Sequence, residues 1–211
     1  MTRILCLLIG YVFGIFQTGY LYGKLHHMDI RNYGSGNSGT TNALRVMGKK
    51  AGLIVFFGDF FKTVFACLAV RVLFRDSAST DLYVLYAGLG VVLGHNFPCY
   101  LNFRGGKGIA SMAGIFVSMD WRITLVCAVL FLSIVLLTRY VSLGSILVVA
   151  AFLIQMVYYG QQGDFRVAAG DLPEFFGVAA FLTVMAVWRH RANIGRLLKG
   201  TENRLWGNGK K

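Results

Sequence analysis

Apolar stretches separated by short polar ones dominate the chain. They run over about 4 to 22, 51 to 74, 82 to 101, 109 to 119, 121 to 138, 142 to 159 and 172 to 188. A helix rises about 1.5 Å per residue, so roughly 20 apolar residues cross the roughly 30 Å of hydrocarbon in a bilayer. Most of the segments qualify as spanning helices, and the piece at 109 to 119 is conspicuously short. The run after Met1-Thr2-Arg3 has the look of a signal peptide. No small-residue cleavage site follows, however, and the run continues through Gly14 to Tyr22, so it reads as the first transmembrane helix. The pattern predicts an all-α polytopic membrane protein, a single integral membrane domain over 1–211 with no soluble domain.

Composition agrees, because 56% hydrophobic and 14% charged residues with only 2 prolines are too apolar for an ordinary soluble domain. The net charge of +12 is unevenly placed. If the 23 to 50 loop, the 102 to 108 loop, the 139 to 141 turn and the tail from 189 face the cytoplasm, they hold most of the 21 Lys and Arg residues. The opposite side then receives Arg3, Arg71, Arg75, Arg122 and Arg166, together with Asp76, Asp81, Asp120, Asp164, Asp171 and Glu174. The positive-inside rule therefore puts the N-terminus outside and the C-terminus in the cytoplasm. That orientation requires an even number of crossings between the 102 to 108 loop and the tail. One long helix over 109 to 138 breaks this parity, whereas division at Asp120-Trp121-Arg122 restores it. The expectation is seven transmembrane helices with a short fourth span.

Three polar, glycine-bearing, basic stretches fall on the cytoplasmic face under this topology: 34 to 45, 94 to 108 and 190 to 204. Gly34, Gly36 and Gly39 stand among Ser35, Asn37, Thr41 and Asn42 and are followed by Arg45. Glycine lets successive backbone N–H groups face one point, hydroxyls add donors, and Arg supplies a planar fork for phosphate or carboxylate oxygens. Arg104, Gly105, Gly106, Lys107 and Gly108 repeat that chemistry. Two oxyanion cradles point to two phosphorylated groups, and so to a transfer reaction. Neither is a Walker A loop, since the spacing and the magnesium-binding hydroxyl are missing. In contrast, Gly10-x-x-x-Gly14, Gly19-x-x-x-Gly23 and Gly90-x-x-x-Gly94 have the spacing of membrane helix contacts. In the third stretch His190 and Asn193 share a helical face near the membrane boundary, while Arg196 and Lys199 share another. Asp59 and Lys62 stand at i and i+3 inside an apolar helix and are expected to form a structural ion pair, because an unpaired charge there costs about 2.5 kcal/mol or more. The cysteines and histidines have no metal-ligand spacing.

These motifs resemble those of a known family. Gly34-Ser35-Gly36-Asn37-x-Gly39-x-Thr41-Asn42-x-x-Arg45, then Gly94-His95-x-Phe97-Pro98 running to Gly105-Gly106-Lys107-Gly108, then His190-Arg191-x-Asn193 with Gly200-x-Glu202 are similar to the three motifs of the bacterial acyl-phosphate:glycerol-3-phosphate acyltransferases, the PlsY family. The Asp59-x-x-Lys62 pair also matches. The resemblance implies transfer of a fatty acyl chain from acyl phosphate to the sn-1 hydroxyl of glycerol 3-phosphate, giving lysophosphatidic acid and phosphate. It implies the bacterial cytoplasmic (inner) membrane, a cytoplasmic active site, membrane lipid as surroundings, no cofactor, no metal and no nucleic-acid partner. The H-x-x-x-x-D motif of the other large glycerolipid acyltransferase class is absent, since His26, His27, His95 and His190 are followed at that spacing by Arg31, Asn32, Tyr100 and Gly195.

Ser35, Arg45 and Lys107 are expected to hold the phosphates and neutralise the departing one, with His190 and Asn193 beside them. His95 and Arg104 join the substrate-binding set, and Gly105 to Gly108 are expected to touch glycerol phosphate. Asn37, Thr41 and Asn42 act as ligands or as loop scaffolding. The general base is His190 or a phosphate oxygen of a substrate. Glu202 is expected to order the tail through Arg196 or Arg204. A transporter for phosphorylated solutes would need polar residues through several spans and repeat symmetry, which the sequence lacks. A metal-dependent head-group phosphotransferase would need an aspartate-rich helical motif, also lacking.

Overall fold

The computed structural model describes residues 1–206, and among these every regular element is a helix. Lys210 and Lys211, counted above with the basic tail, lie outside the described residues. In chain order the α-helices are α1 Thr2–Gly14, α2 Thr18–Leu25, α3 Thr40–Met47, α4 Lys49–Leu73, α5 Thr80–Asn96, α6 Ile109–Met119, α7 Trp121–Thr138, α8 Val141–Gln161, α9 Leu172–Arg189 and α10 Arg191–Leu198. Among the described residues, six segments are long and apolar enough to cross a membrane: Thr2–Leu25, Lys49–Leu73, Thr80–Leu101, Trp121–Thr138, Val141–Gln161 and Ala169–Arg189. The apolar α6 is shorter. Division of the 109 to 138 stretch falls where the sequence puts it. Asp120 is extended and its carboxylate accepts from the backbone N–H of Arg122 at 2.7 Å, stopping α6 and capping α7.

The axis of the bundle is the contact of α1 with α5. A Cβ on Gly10 would run into the carbonyl of Ala87, and one on Gly90 into the carbonyl of Leu7. Gly14 and Gly94 are in the same position against Val91 and against Tyr11 and Ile15. The two small-residue motifs thus face each other and bring the backbones into direct contact, as membrane helices without a hydrophobic driving force require. α5 is the central helix, with almost three-quarters of its span buried (72%), while α7 is peripheral at 17%. Gly19 meets the backbone of Ser38 most closely, with Val55 of α4 farther off, which seats the glycine-rich loop against α2.

The first span is not one continuous helix, contrary to the sequence reading. It breaks between Gly14 and Thr18. The break frees the carbonyls of Gly14 and Phe16, which accept from the Lys62 ammonium at 3.3 and 2.7 Å. The buried amide of Gln17 turns inward and donates to the carbonyl of His95 at 3.0 Å. At one end of the bundle the acidic residues are tied to arginines: Arg3 to Asp171 and Glu174, Arg71 to Asp81, and Arg122 to Asp120 and Asp164. Such part-exposed pairs contribute about 0–1 kcal/mol each, so they fix loop positions more than they stabilise.

Candidate active site

At the opposite end, the 34–39 loop, the starts of α3 and α6, the α9–α10 junction and the chain from Glu202 to Leu205 surround a cavity of about 260 Å³. The loop is shaped by Asn42. Its amide donates to the carbonyls of Ile30, Tyr33 and Asn37 at 3.2, 3.0 and 2.8 Å, and its oxygen accepts from the N–H of Ser35 at 2.8 Å. Asn37 accepts from the N–H of Gly39 at 2.7 Å, a local turn that leads into α3. Gly34 takes a φ of +60°, and a Cβ there would collide with the Asn42 oxygen. Asn37 and Asn42 are therefore scaffolding as well as cavity wall.

Neither α3 nor α6 has a side-chain N-cap, for Gly39 and Gly108 occupy those positions. Both helix starts border the cavity, so unpaired N–H groups and the positive ends of two helix dipoles face one space. Such ends favour anions. Arg45, Lys107 and Arg196 add cationic side chains to the same wall.

Lys107 projects from a turn that Arg189 holds. The Arg189 guanidinium donates to the carbonyls of Gly105 and Gly106 at 3.0 and 2.6 Å. Burial, then the nearby charge of Arg196, brings the Lys107 ammonium down to about 8. Its ammonium contacts the Asn193 side-chain oxygen. The Asn193 amide in turn donates to Glu202 at 2.7 Å, and Glu202 also accepts from Arg196 at 2.8 Å and Ser142 at 3.1 Å. Glu202 thus ties the tail to α10 through Arg196 and to α8 through Ser142. His190 holds Ala186 O at 2.8 Å through Nδ1, which leaves Nε2 as the acceptor. Burial pushes its pKa down to about 4, so the imidazole is neutral at pH 7.

Away from this polar end the wall becomes apolar, with Leu44, Phe56, Phe131, Val135, Val141 and Leu205. The short α6 starts at the cavity, which Gly108, Ile109 and Ala110 border.

A sequence profile described as Glycerol-3-phosphate acyltransferase matches residues 4–200. The glycerol-3-phosphate acyltransferase of Clostridioides difficile (strain 630) is 40% identical over 204 residues, covering 96% of this chain and 95% of the relative. That of Thermoanaerobacter sp. (strain X514) is 37% identical over 207 residues, covering 97% and 96%. The chain belongs to the glycerol-3-phosphate acyltransferase family. Two crystal structures of PlsY (YgiH), an integral membrane glycerol 3-phosphate acyltransferase, have the same fold. The glycerol 3-phosphate form superimposes with a TM-score of 0.84 at 34% identity, covering 98% of this chain and 96% of that one. The lysophosphatidic acid form gives 0.81 at 33%, covering 97% and 95%. The resemblance to the PlsY family read from the motifs is borne out.

In this acyltransferase the cavity gathers Ser35, Asn37, Gly39, Thr41, Asn42, Arg45, His95, Lys107, Gly108, His190, Asn193 and Glu202 from the residues singled out in the sequence. Asp59 borders it too, paired with Lys62 at 2.8 Å as expected. Gly34, Gly36, Arg104, Gly105 and Gly106 do not border it. Arg104 is exposed. A Cβ on Gly105 would meet the His95 carbonyl and one on Gly106 the His95 ring, so packing against His95 by itself requires glycine at both positions. Arg196, Thr40, Ser142 and Ser145 border the cavity without having been singled out as site residues. Arg196 was placed on a face apart from Asn193, yet i and i+3 positions lie close enough on a helix to have joined them.

Proposed function

We propose that the protein moves a fatty acyl group from acyl phosphate to the sn-1 hydroxyl of glycerol 3-phosphate, releasing lysophosphatidic acid and phosphate, at the cytoplasmic face of the bacterial inner membrane. One observation carries this reading: two uncapped helix starts and three cationic side chains share one cavity with an apolar wall. Two anion-attracting helix ends suit two phosphates, one from each substrate, and the apolar side suits a fatty chain. A thioester donor has no phosphate beside its carbonyl and would leave one of those ends without a partner. The crystal forms of the PlsY relative contain glycerol 3-phosphate and lysophosphatidic acid, which agrees with acceptor and product.

In the reaction the glycerol oxygen bonds to the acyl carbon and the acyl carbon–phosphate oxygen bond breaks. The hydroxyl proton ends on the departing phosphate. Arg45, Lys107 and Ser35 neutralise the charge that develops on that phosphate, and each such donor is worth about 2.7–4 kcal/mol of barrier. The neutral His190 presents Nε2 as an acceptor that orients the hydroxyl, and a phosphate oxygen takes the proton. Asn193 holds Lys107 in place against Glu202. The reading includes seven spans with α6 as the short fourth, the N-terminus outside and the C-terminus cytoplasmic, and needs no cofactor.

Purified protein given acyl phosphate and glycerol 3-phosphate without added metal should release phosphate and lysophosphatidic acid in equal amounts. Product formed from acyl-CoA or acyl carrier protein but not from acyl phosphate would overturn the reading.

A further inference from the structure

Behind the cavity wall lies a cluster that the reaction above does not use. The Lys62 ammonium is 2.7 Å from Phe16 O, 2.8 Å from Asp59 Oδ1 and 3.0 Å from His95 Nδ1, with Gly14 O farther away at 3.3 Å. Two of the three close partners are oxygens that can only accept. An ammonium has three protons, and the three short contacts take them. His95 Nδ1 must then be the acceptor in its bond with Lys62. A neutral imidazole that accepts at Nδ1 carries its proton on Nε2. Asp59 does not compete for Nδ1: it stands 3.6 Å away, and its Oδ1 already accepts from Lys62 and from Thr18 at 3.0 Å.

Nε2 makes no hydrogen bond among the described residues. His95 is only 3% exposed, and it borders the cavity beside Lys107 and Gly108. Gly106 packs beside Nε2, where a Cβ would collide with that atom, so the glycine leaves the ring nitrogen room. The other charged groups packed near the ring are Arg189, which clamps the Gly105 and Gly106 carbonyls, and Lys107 itself.

We propose that Lys62 locks His95 in the Nε2–H tautomer and so makes His95 a hydrogen-bond donor to the anion in the cavity. Lys62 is a positioning residue that never touches substrate; it acts from the buried side of α4, against the broken first span and α5. The break in the first span belongs to the same device, since the freed Phe16 carbonyl holds the ammonium in place. The benefit to catalysis rests on the acyl-transfer reading, but the tautomer does not.

Protein labelled with 15N-histidine tests it, with the His95 signals identified by their loss in His95→Gln. Wild type should show a protonated Nε2 and a bare Nδ1, and inorganic phosphate should shift the Nε2–H signal. In Lys62→Met, Asp59 becomes the partner of Nδ1–H and Nε2 loses its proton. Turnover should fall about 10²-fold, the size expected for one lost oxyanion donor. The remaining activity should rise as pH falls, because protonation of the ring restores Nε2–H. His95→Gln, whose terminal amide nitrogen reaches the place of Nε2, should keep much more activity than His95→Asn. A wild-type His95 protonated at Nδ1 overturns the proposal, and so does a Lys62→Met enzyme with unchanged tautomer and pH profile. If Lys62→Met fails to fold, the wild-type tautomer and the Gln–Asn comparison still decide. If acyl phosphate proves not to be the donor, the phosphate-dependent Nε2–H shift tests the donor role alone.

Discussion

Lys107 carries its charge in a place that works against it. Burial and neighbouring cations hold its pKa near 8 in the free cavity, so it is protonated below that value and neutral above it. kcat/KM for glycerol 3-phosphate, which reports groups of the free enzyme, should therefore decline above pH about 8. Lys107→Arg keeps its charge at any accessible pH and should lose that decline; a Lys107→Arg profile identical to wild type would rule Lys107 out as its source. His190→Ala should lower kcat by about 10²-fold, the cost of a misoriented nucleophile, with a smaller change in KM. Near-normal turnover would remove His190 from the reaction. The loops that form the cavity were legible in the sequence because glycine, amide and hydroxyl residues have little other reason to cluster between apolar runs. The reason for Gly105 and Gly106 was not legible. It lies in the backbone and ring of His95, and composition alone cannot tell a glycine that admits a ligand from one that admits a neighbouring side chain.

Among the elements, the α1–α5 contact was readable as two four-residue glycine spacings, and the structure adds that they face each other. Gly90→Val puts a branched side chain against the Leu7 carbonyl. Overpacking costs typically about 1–3 kcal/mol, and a backbone obstacle leaves little room to relax. The variant should unfold at lower temperature in detergent than wild type, whereas Gly177→Ala, where a Cβ meets nothing within 4 Å, should not. Equal stability of the two would remove the close contact from the account. The division between α6 and α7 was legible through Asp120-Trp121-Arg122, a local capping signal. The break between α1 and α2 was not, because its cause is an ammonium from α4 and an amide contact to α5, and no local pattern at Ile15 to Gln17 announces them.

For the whole molecule, the two ends are chemically unlike: ion-paired acids at one, a cationic cavity at the other. The proposed orientation rests on that contrast in Lys and Arg placement. Cys99 is the exposed thiol among the described residues, and replacing it with Ala gives a background for single-cysteine labelling in intact cells. Lys50→Cys and Lys199→Cys should resist an impermeant thiol reagent until the membrane is opened, and Asp76→Cys should react at once. The reverse result would invert the proposed topology, and mixed protection of Lys50→Cys and Lys199→Cys would break it.

The peripheral place of α7 has a mechanical consequence. α5 is gripped by its neighbours and touches α1 backbone to backbone, so that half of the bundle resembles a fixed frame. α7 supplies Phe131 and Val135 to the apolar wall while most of its surface lies outside the protein. A long-chain molecule leaving sideways for the leaflet would displace lipid tails around α7 more readily than any contact of the frame. Bilayer thickness and fluidity, acting on one peripheral helix, are then expected to set the pace of its departure.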